Sequence, residues 1–243
     1  MYVGIGGTAT CDGGAGMLQS LGARFFDSAG REMTADITPA MLPCISSADL
    51  SALHREPWHE RLTGLSDVRA SLLPPGLSAL DFAAQKGARP ADMPVLAAGL
   101  ANLRRVLGMN ACSPYDGAGG GVGFALATVI GAEVLPGAAT ILDSKEIDWT
   151  SITLVITGEG RIDRQTAGGK VVDTLCFRAR SLGIPSLSIG GYAEPAMRSG
   201  WPHAVISTID SPAAYSPTLA ADRLRTALER HLDRITDRRN RYK

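Results

Sequence analysis

This sequence has no net charge: 24 Lys and Arg balance 24 Asp and Glu, giving +0 at pH 7 and a pI near 6.9. A neutral chain lacks the basic footprint by which proteins hold nucleic acid, so no nucleic-acid partner is expected. Only the tail, Arg238-Arg239-Asn240-Arg241-Tyr242-Lys243, is basic, and a frayed, solvated terminus accounts for it. There is no run of about 18 apolar residues, so no membrane span is expected. The four cysteines, Cys11, Cys44, Cys112 and Cys176, have no C-x-x-C spacing, and neither a zinc-ligand set nor a disulfide framework follows from them. Free cysteines suit a reducing compartment. Met1 leads straight into Tyr2-Val3-Gly4-Ile5, without the basic region and long apolar stretch of a secretory leader. The cytoplasm is the expected location. No internal repeat is visible.

What is present is a chain of 243 residues, 45% hydrophobic and 20% charged, with ample material for one large or two small cores. Its 28 glycines cluster in turns. Tyr2 to Ile5, Arg24 to Phe26 and Leu62 to Asp67 read as strands, whereas Ile37–Leu42 and Ser47–Leu53 read as loops with short helical turns. Pro90 opens a helix with Met93, Leu96, Leu100, Leu103 and Leu107 at helical period. Phe124, Leu126, Val129, Ile130 and Val134 predict a second, small-residue helix. Ile152–Ile156 and Ile184–Ile189 read as strands that end at glycines, and the helix between them makes a right-handed parallel crossover. Another strand, Ala204–Ile209, precedes a covering helix that opens near Ser216-Pro217 with a stripe of Leu219, Leu224, Leu228, Leu232 and Ile235. The pattern changes from irregular to regular β-α-β near Ser144–Thr150, which places a domain boundary between 1–148 and 149–243.

The chain is organised around Thr157-Gly158-Glu159-Gly160-Arg161-Ile162-Asp163-Arg164-Gln165-Thr166, followed by Gly168-Gly169-Lys170. A strand that stops at two glycines and turns into a helix offers backbone N–H groups to an anion. Here the turn also carries Glu159, Arg161, Asp163 and Lys170. Mixed charge at the carboxyl end of a strand is costly unless something binds there. The other reading is an ion-pair network that merely fixes a loop. Two further glycine stretches, Gly6 to Gly16 and Gly117 to Gly123, read equally as ligand-cradling turns or as sites of close backbone packing. Neither matches the G-x-G-x-x-G or the P-loop spacing.

Three of these segments resemble the bacterial glycerate kinases of the glycerate 2-kinase type. Gly6-Gly7-Thr8-Ala9-Thr10-Cys11-Asp12-Gly13-Gly14-Ala15-Gly16 is similar to that family's GGSATNDGGAG. Gly117 to Phe124 is similar to its GAGAAGGLGxG, and Val155 to Lys170 to its VITGEGRIDxQTxxGK. Gln85-Lys86-Gly87-Ala88 matches its QKGA in the same order. The resemblance implies transfer of the γ-phosphoryl group of ATP to D-glycerate, with Mg²⁺. It also implies two α/β domains: 1–148 as mostly an inserted-type mixed α/β domain, and 149–243 as the C-terminal part of a flavodoxin-like parallel-sheet domain. Asp67, Asp163 and Lys170 are then the catalytic candidates, with Asp67 or Asp163 on the metal. Gly6, Gly7, Thr8, Asp12, Gly119, Gly120, Glu159, Gly160, Arg161, Gln165 and Thr166 are the substrate- or phosphate-binding candidates. Arg161 would take the glycerate carboxylate in a bidentate pair.

Two departures from the pattern define an alternative. The family's opening segment, with an APDSFKGS-like motif and a lysine expected near the phosphates, has no counterpart here. The family's DVDNPL is Asp67-Val68-Arg69-Ala70-Ser71-Leu72, which keeps only the first acid. The alternative is a truncated or degenerate kinase that binds an organic acid or phosphate with little turnover. A sheet short of partners has an open edge, so aggregation, homodimer formation or marginal stability is expected.

Overall fold

The computed structural model describes residues 1–55, 57–110, 113–163, 166–200, 204–214 and 216–240. It is mixed α/β, with parallel sheets, and divides into two compact units, Met1–Ile141 and Leu142–Lys243.

The first unit begins with β1 (Tyr2–Gly4), a glycine-rich turn and α1 (Ala15–Ser20). A small antiparallel pair follows, β2 (Arg24–Phe26) with β3 (Ser47–Asp49). This corrects the expectation of a loop at Ser47–Leu53. Three residues are too few to show a period of two, and the pairing is set by partners across the ladder, such as Phe25 opposite Ala48. Next come α2 (Trp58–Arg61) and β4 (Thr63–Ser66), the latter shorter at both ends than the expected Leu62–Asp67. After a turn at Pro90–Asp92, α3 (Met93–Val106) buries Leu96, Leu100 and Leu103 on the predicted stripe. It packs on the Pro39–Cys44 turn so closely that a Cβ on Gly99 would lie 2.9 Å from that of Leu42. Asn102 Nδ2 ties the pair by donating to Leu42 O and Ile45 O, both at 2.8 Å.

The predicted helix through Val134 is broken. Its helical part is α4 (Val122–Phe124) with a wider turn over Ala125–Val129. Gly131, at φ 76°, ends it, and Val134 lies in β5 (Glu133–Pro136), opposite Gly64. The first sheet is therefore parallel, in the order β1-β4-β5, and α5 (Gly137–Asp143) follows β5. The sheet packs through Val3, Ile5, Leu62 and Val134 on Val122 and Leu126, and a separate larger core of the unit holds Leu18, Phe25, Leu42, Leu72, Leu100, Leu103 and Phe124.

The second unit is a parallel three-stranded sheet, β6 (Val155–Ile162), β7 (Ser186–Ala193) and β8 (Ala204–Ile209), in that order. Between the strands lie α6 (Val171–Ser181) and α7 (Pro195–Gly200), and α8 (Ala220–Asn240) closes the chain. One face carries Leu187, Ile189 and Ile206 against Ala227 and Leu228 of α8. Leu224 is exposed, and nothing is described of the side chains at 232 and 235. On the other face Ser188 Oγ lies 3.0 Å from Cys176 Sγ of α6.

Both β6 and β7 run straight through the glycines at which they were expected to stop. A Cβ on Gly158 would come within 2.4 Å of Ile189 O, and one on Gly191 within 2.6 Å of Gly160 O. These glycines permit close approach of adjacent strands; they do not end them.

Thiol chemistry checks this packing. Cys11 and Cys176 are buried and Cys44 is exposed, and burial pushes the Cys11 thiol pKa up. Of these three, iodoacetamide on the native protein is expected to label Cys44 alone, with Cys11 and Cys176 reacting only in denaturant. Peptide mass spectrometry reads the sites, and native labelling of Cys11 at the Cys44 rate would contradict the core described here.

Candidate functional site

In a parallel sheet, the loops that follow the strands gather at one edge, the usual place for a ligand. In the first unit that edge carries Gly6 and Gly7 after β1, Asp67 after β4 and Gly137 after β5. Asp67 Oδ1 accepts the N–H of Ala138 at 2.7 Å, so the carboxylate sits at the N-terminus of α5, where the unpaired N–H groups favour negative charge. Gly6 and Gly7 have no atom within 4 Å of where a Cβ would stand, so that stretch of backbone is open to close approach.

The remainder of the two glycine stretches pack against each other. Gly13 N donates to Gly120 O at 3.0 Å, and Thr8 Oγ1 donates to Gly119 O at 2.8 Å. A Cβ on Gly120 would stand 2.0 Å from Thr10 O, and one on Gly123 1.9 Å from Tyr115 O. Close backbone packing thus accounts for the glycines at 120 and 123. Asp12 is buried, with Oδ1 accepting from Gly14 N at 3.0 Å and Oδ2 from Gly16 N at 2.9 Å. It fixes the entry into α1.

In the second unit the charged residues converge. Glu159 Oε2 lies 3.8 Å from Lys170 Nζ. Lys170 is the residue that caps α6, a position where a cation opposes the helix dipole and needs an anion beside it. Arg161 lies 3.1 Å from Asp163 through Nε and 2.7 Å from Glu194 through Nη2. Its guanidinium also stands 5.8 Å from the centroid of the Tyr192 ring. The Glu194 hydrogen bond raises the arginine pKa further, so the group is always charged. Asp163 and Thr166 lock the turn: Asp163 N donates to Thr166 Oγ1, and Thr166 N to Asp163 O, both at 3.0 Å. Gln165 lies outside the described residues. Among the described residues, Oε1 of Glu159 is buried without a hydrogen-bond partner, an uncommon and costly state.

A cleft of about 560 Å³ lies on the α8 face of the sheet, lined by Gly158, Glu159, Gly160 and Gly191 and by apolar side chains including Ile209 and Leu224. By strand alternation the side chains of Glu159 and Arg161 project to the other face, that of α6. A Cβ on Gly160 would meet nothing within 4 Å.

Two groups were not among the expected site residues, although Lys86 stands in the Gln85–Ala88 motif. Glu194 follows β7 directly, at the same edge as Asp163; tracing β7 through Gly190-Gly191 would have brought it there. Lys86 reaches the first glycine turn, where its Nζ donates to Thr10 O at 2.7 Å and to Thr8 Oγ1 at 3.3 Å.

Parallel sheets with glycine turns and paired charges at their carboxyl edges mark an α/β protein of the ligand-binding type. The chain belongs to the glycerate kinase family, whose sequence profile matches residues 1–239. It is 33% identical over 216 residues to the glycerate kinase of Bacillus subtilis (strain 168), an alignment covering 84% of this chain and 55% of that one. It is 34% identical over 198 residues to the glycerate 2-kinase of Escherichia coli (strain K12), covering 79% and 51%. A solved Salmonella typhimurium LT2 protein of the glycerate kinase 2 type superposes with a TM-score of 0.63 at 28% identity, covering 98% of this chain and 64% of that one. The chain spans about half the length of the curated relatives it matches. Among the described residues, no helix is long and apolar enough to cross a membrane.

Proposed function

We propose that this chain takes part in ATP-dependent phosphorylation of D-glycerate, with 2-phosphoglycerate as the product. The observation that carries this reading is the set of paired charges, Glu159 with Lys170 and Arg161 with Asp163 and Glu194, at the carboxyl end of a strand within the stretch that matches the family. Phosphoryl transfer asks a protein mainly for positioning and charge neutralisation. The glycerate hydroxyl oxygen attacks the γ-phosphorus, the bond to the bridging oxygen breaks, and ADP leaves. The hydroxyl proton goes to a carboxylate, for which Asp163 and Asp67 are the candidates. Arg161, steadied by Asp163 and Glu194, supplies fixed positive charge to an anionic ligand. Lys170 neutralises phosphate charge at the start of α6.

The family implies Mg²⁺, and the residues present fit it. The two cations and three carboxylates of these pairs sum to one negative charge, so they repel a nucleotide less when magnesium offsets part of its phosphate charge. The orphaned Glu159 oxygen is a hard donor of the kind Mg²⁺ takes. Glu159 and Asp163 would hold the ion, which would supply charge stabilisation on the phosphates. Gly160 and Thr166 belong to the same turn region, and Gly6, Gly7, Thr8, Asp12, Gly119 and Gly120 shape the turns of 1–148, the inserted-type domain. Residues 149–243 are then the end of the flavodoxin-like domain.

The ion pairs that engage Arg161 on two sides favour a second reading, a binding module without turnover. A coupled ADP-release assay with D-glycerate, ATP and Mg²⁺ is expected to show glycerate-dependent ADP, with the product position read by ³¹P NMR. No turnover, with saturable glycerate binding by calorimetry, selects the binding module. Neither turnover nor binding removes both.

A further inference from the structure

Lys86 ends a short turn, Ala84–Lys86, that Gly87 closes at φ 96°. Its half-buried ammonium reaches the first glycine turn, and both of its hydrogen bonds go to neutral oxygens, Thr10 O and Thr8 Oγ1. Thr8 in turn spends its own proton on Gly119 O, so its hydroxyl is oriented to accept from Lys86. Among the described residues, Lys86 makes no ion pair and its third N–H has no acceptor. The acids nearby in sequence or space are committed elsewhere. Asp12 holds Gly14 N and Gly16 N, and Asp81 holds Ser78 N and Oγ. A cation partly withdrawn from water with no carboxylate in direct contact is costly unless an anion joins it. Burial lowers its pKa, which shows the same cost, with only the charges of Cys11 and Asp12 working the other way. The adjoining Gly6 and Gly7 leave the space over the turn empty.

We propose that Lys86, presented by Thr8 and Thr10, binds the carboxylate of the small acid substrate. The identity of that acid rests on the glycerate reading; the demand of Lys86 for an oxyanion does not. The first glycine turn holds the acid through a cation that no carboxylate contacts among the described residues.

Calorimetry on Lys86→Met, Lys86→Gln and Lys86→Arg tests this, with D-glycerate, Mg²⁺-ATP and inorganic phosphate as separate probes. The expected result is glycerate affinity lowered about 10- to 100-fold in the first two variants, the loss typical of a charge-assisted hydrogen bond. Lys86→Arg is expected to restore it to within a few fold, and Mg²⁺-ATP affinity to stay within about twofold of wild type throughout. Lys86→Gln keeps a donor for Thr10 O, so it stands in if Lys86→Met fails to fold. Unchanged glycerate affinity in Lys86→Gln overturns the proposal, as does a loss confined to Mg²⁺-ATP. If wild type takes no glycerate, the kinase reading fails separately. Phosphate then probes Lys86: binding lost in Lys86→Gln sustains its oxyanion role, and binding that is absent or unaltered overturns it.

Discussion

Gly120→Ala is expected to be among the most damaging single-atom-group changes in the first unit. Two costs add at this position. The backbone stands at φ 71°, where an L side chain is strained by roughly 1–2 kcal/mol. The new methyl would also stand 2.0 Å from Thr10 O and 2.9 Å from Cys11 Cα, which are backbone atoms without a rotamer to move. Overpacking of this kind costs about 1–3 kcal/mol or more. Together they predict a loss of about 3 kcal/mol and a fall in Tm of roughly 6–12 °C. Gly6→Ala is the control. It faces empty space at ordinary φ and should change Tm by less than about 2 °C, while impeding any ligand that lies against that turn. Thermal melts of the two variants check this; equal Tm values would mean that the glycine stretches do not pack as described.

Arg161→Ala should instead spare the fold and impair function. The side chain is 56% exposed, so its ion pairs add at most about 1 kcal/mol to stability. In turnover, loss of a charge-assisted bond to substrate predicts a fall in kcat/KM of about 10- to 100-fold. The lost charge also leaves Asp163 and Glu194 facing one another, which adds repulsion toward an anionic ligand. Arg161→Lys keeps the charge but cannot fork between two carboxylates, and is expected to fall between wild type and the alanine variant. Steady-state kinetics beside circular dichroism decide the matter. A folded Arg161→Ala protein with unaltered kcat/KM removes Arg161 from the site.

Much of this was legible in the sequence. The α3 stripe is long enough to show its period, and Leu96, Leu100 and Leu103 are buried accordingly. The grouping of Glu159, Arg161, Asp163 and Lys170 was readable because all four lie within twelve residues on a single strand-turn-helix. Glycine was the misleading signal. At 158 and 191 it marks a neighbouring carbonyl too close for a Cβ, yet along the sequence it looks like a strand end. β3 was illegible because its pairing is set by a partner more than twenty residues away. What Lys86 touches was hidden for the same reason in stronger form, since its acceptors lie 76 and 78 residues upstream.

Consider, finally, what those strand glycines do to the wall of the second-unit cleft. At Gly158, Gly160 and Gly191 the wall is bare peptide backbone, held in a hydrogen-bonded ladder. Such a surface has no torsions left to freeze when a guest arrives, so its share of the ordering entropy is already spent when the sheet folds. Its contour is also insensitive to side-chain repacking elsewhere, and any mutation that adds a methyl group there reshapes it directly.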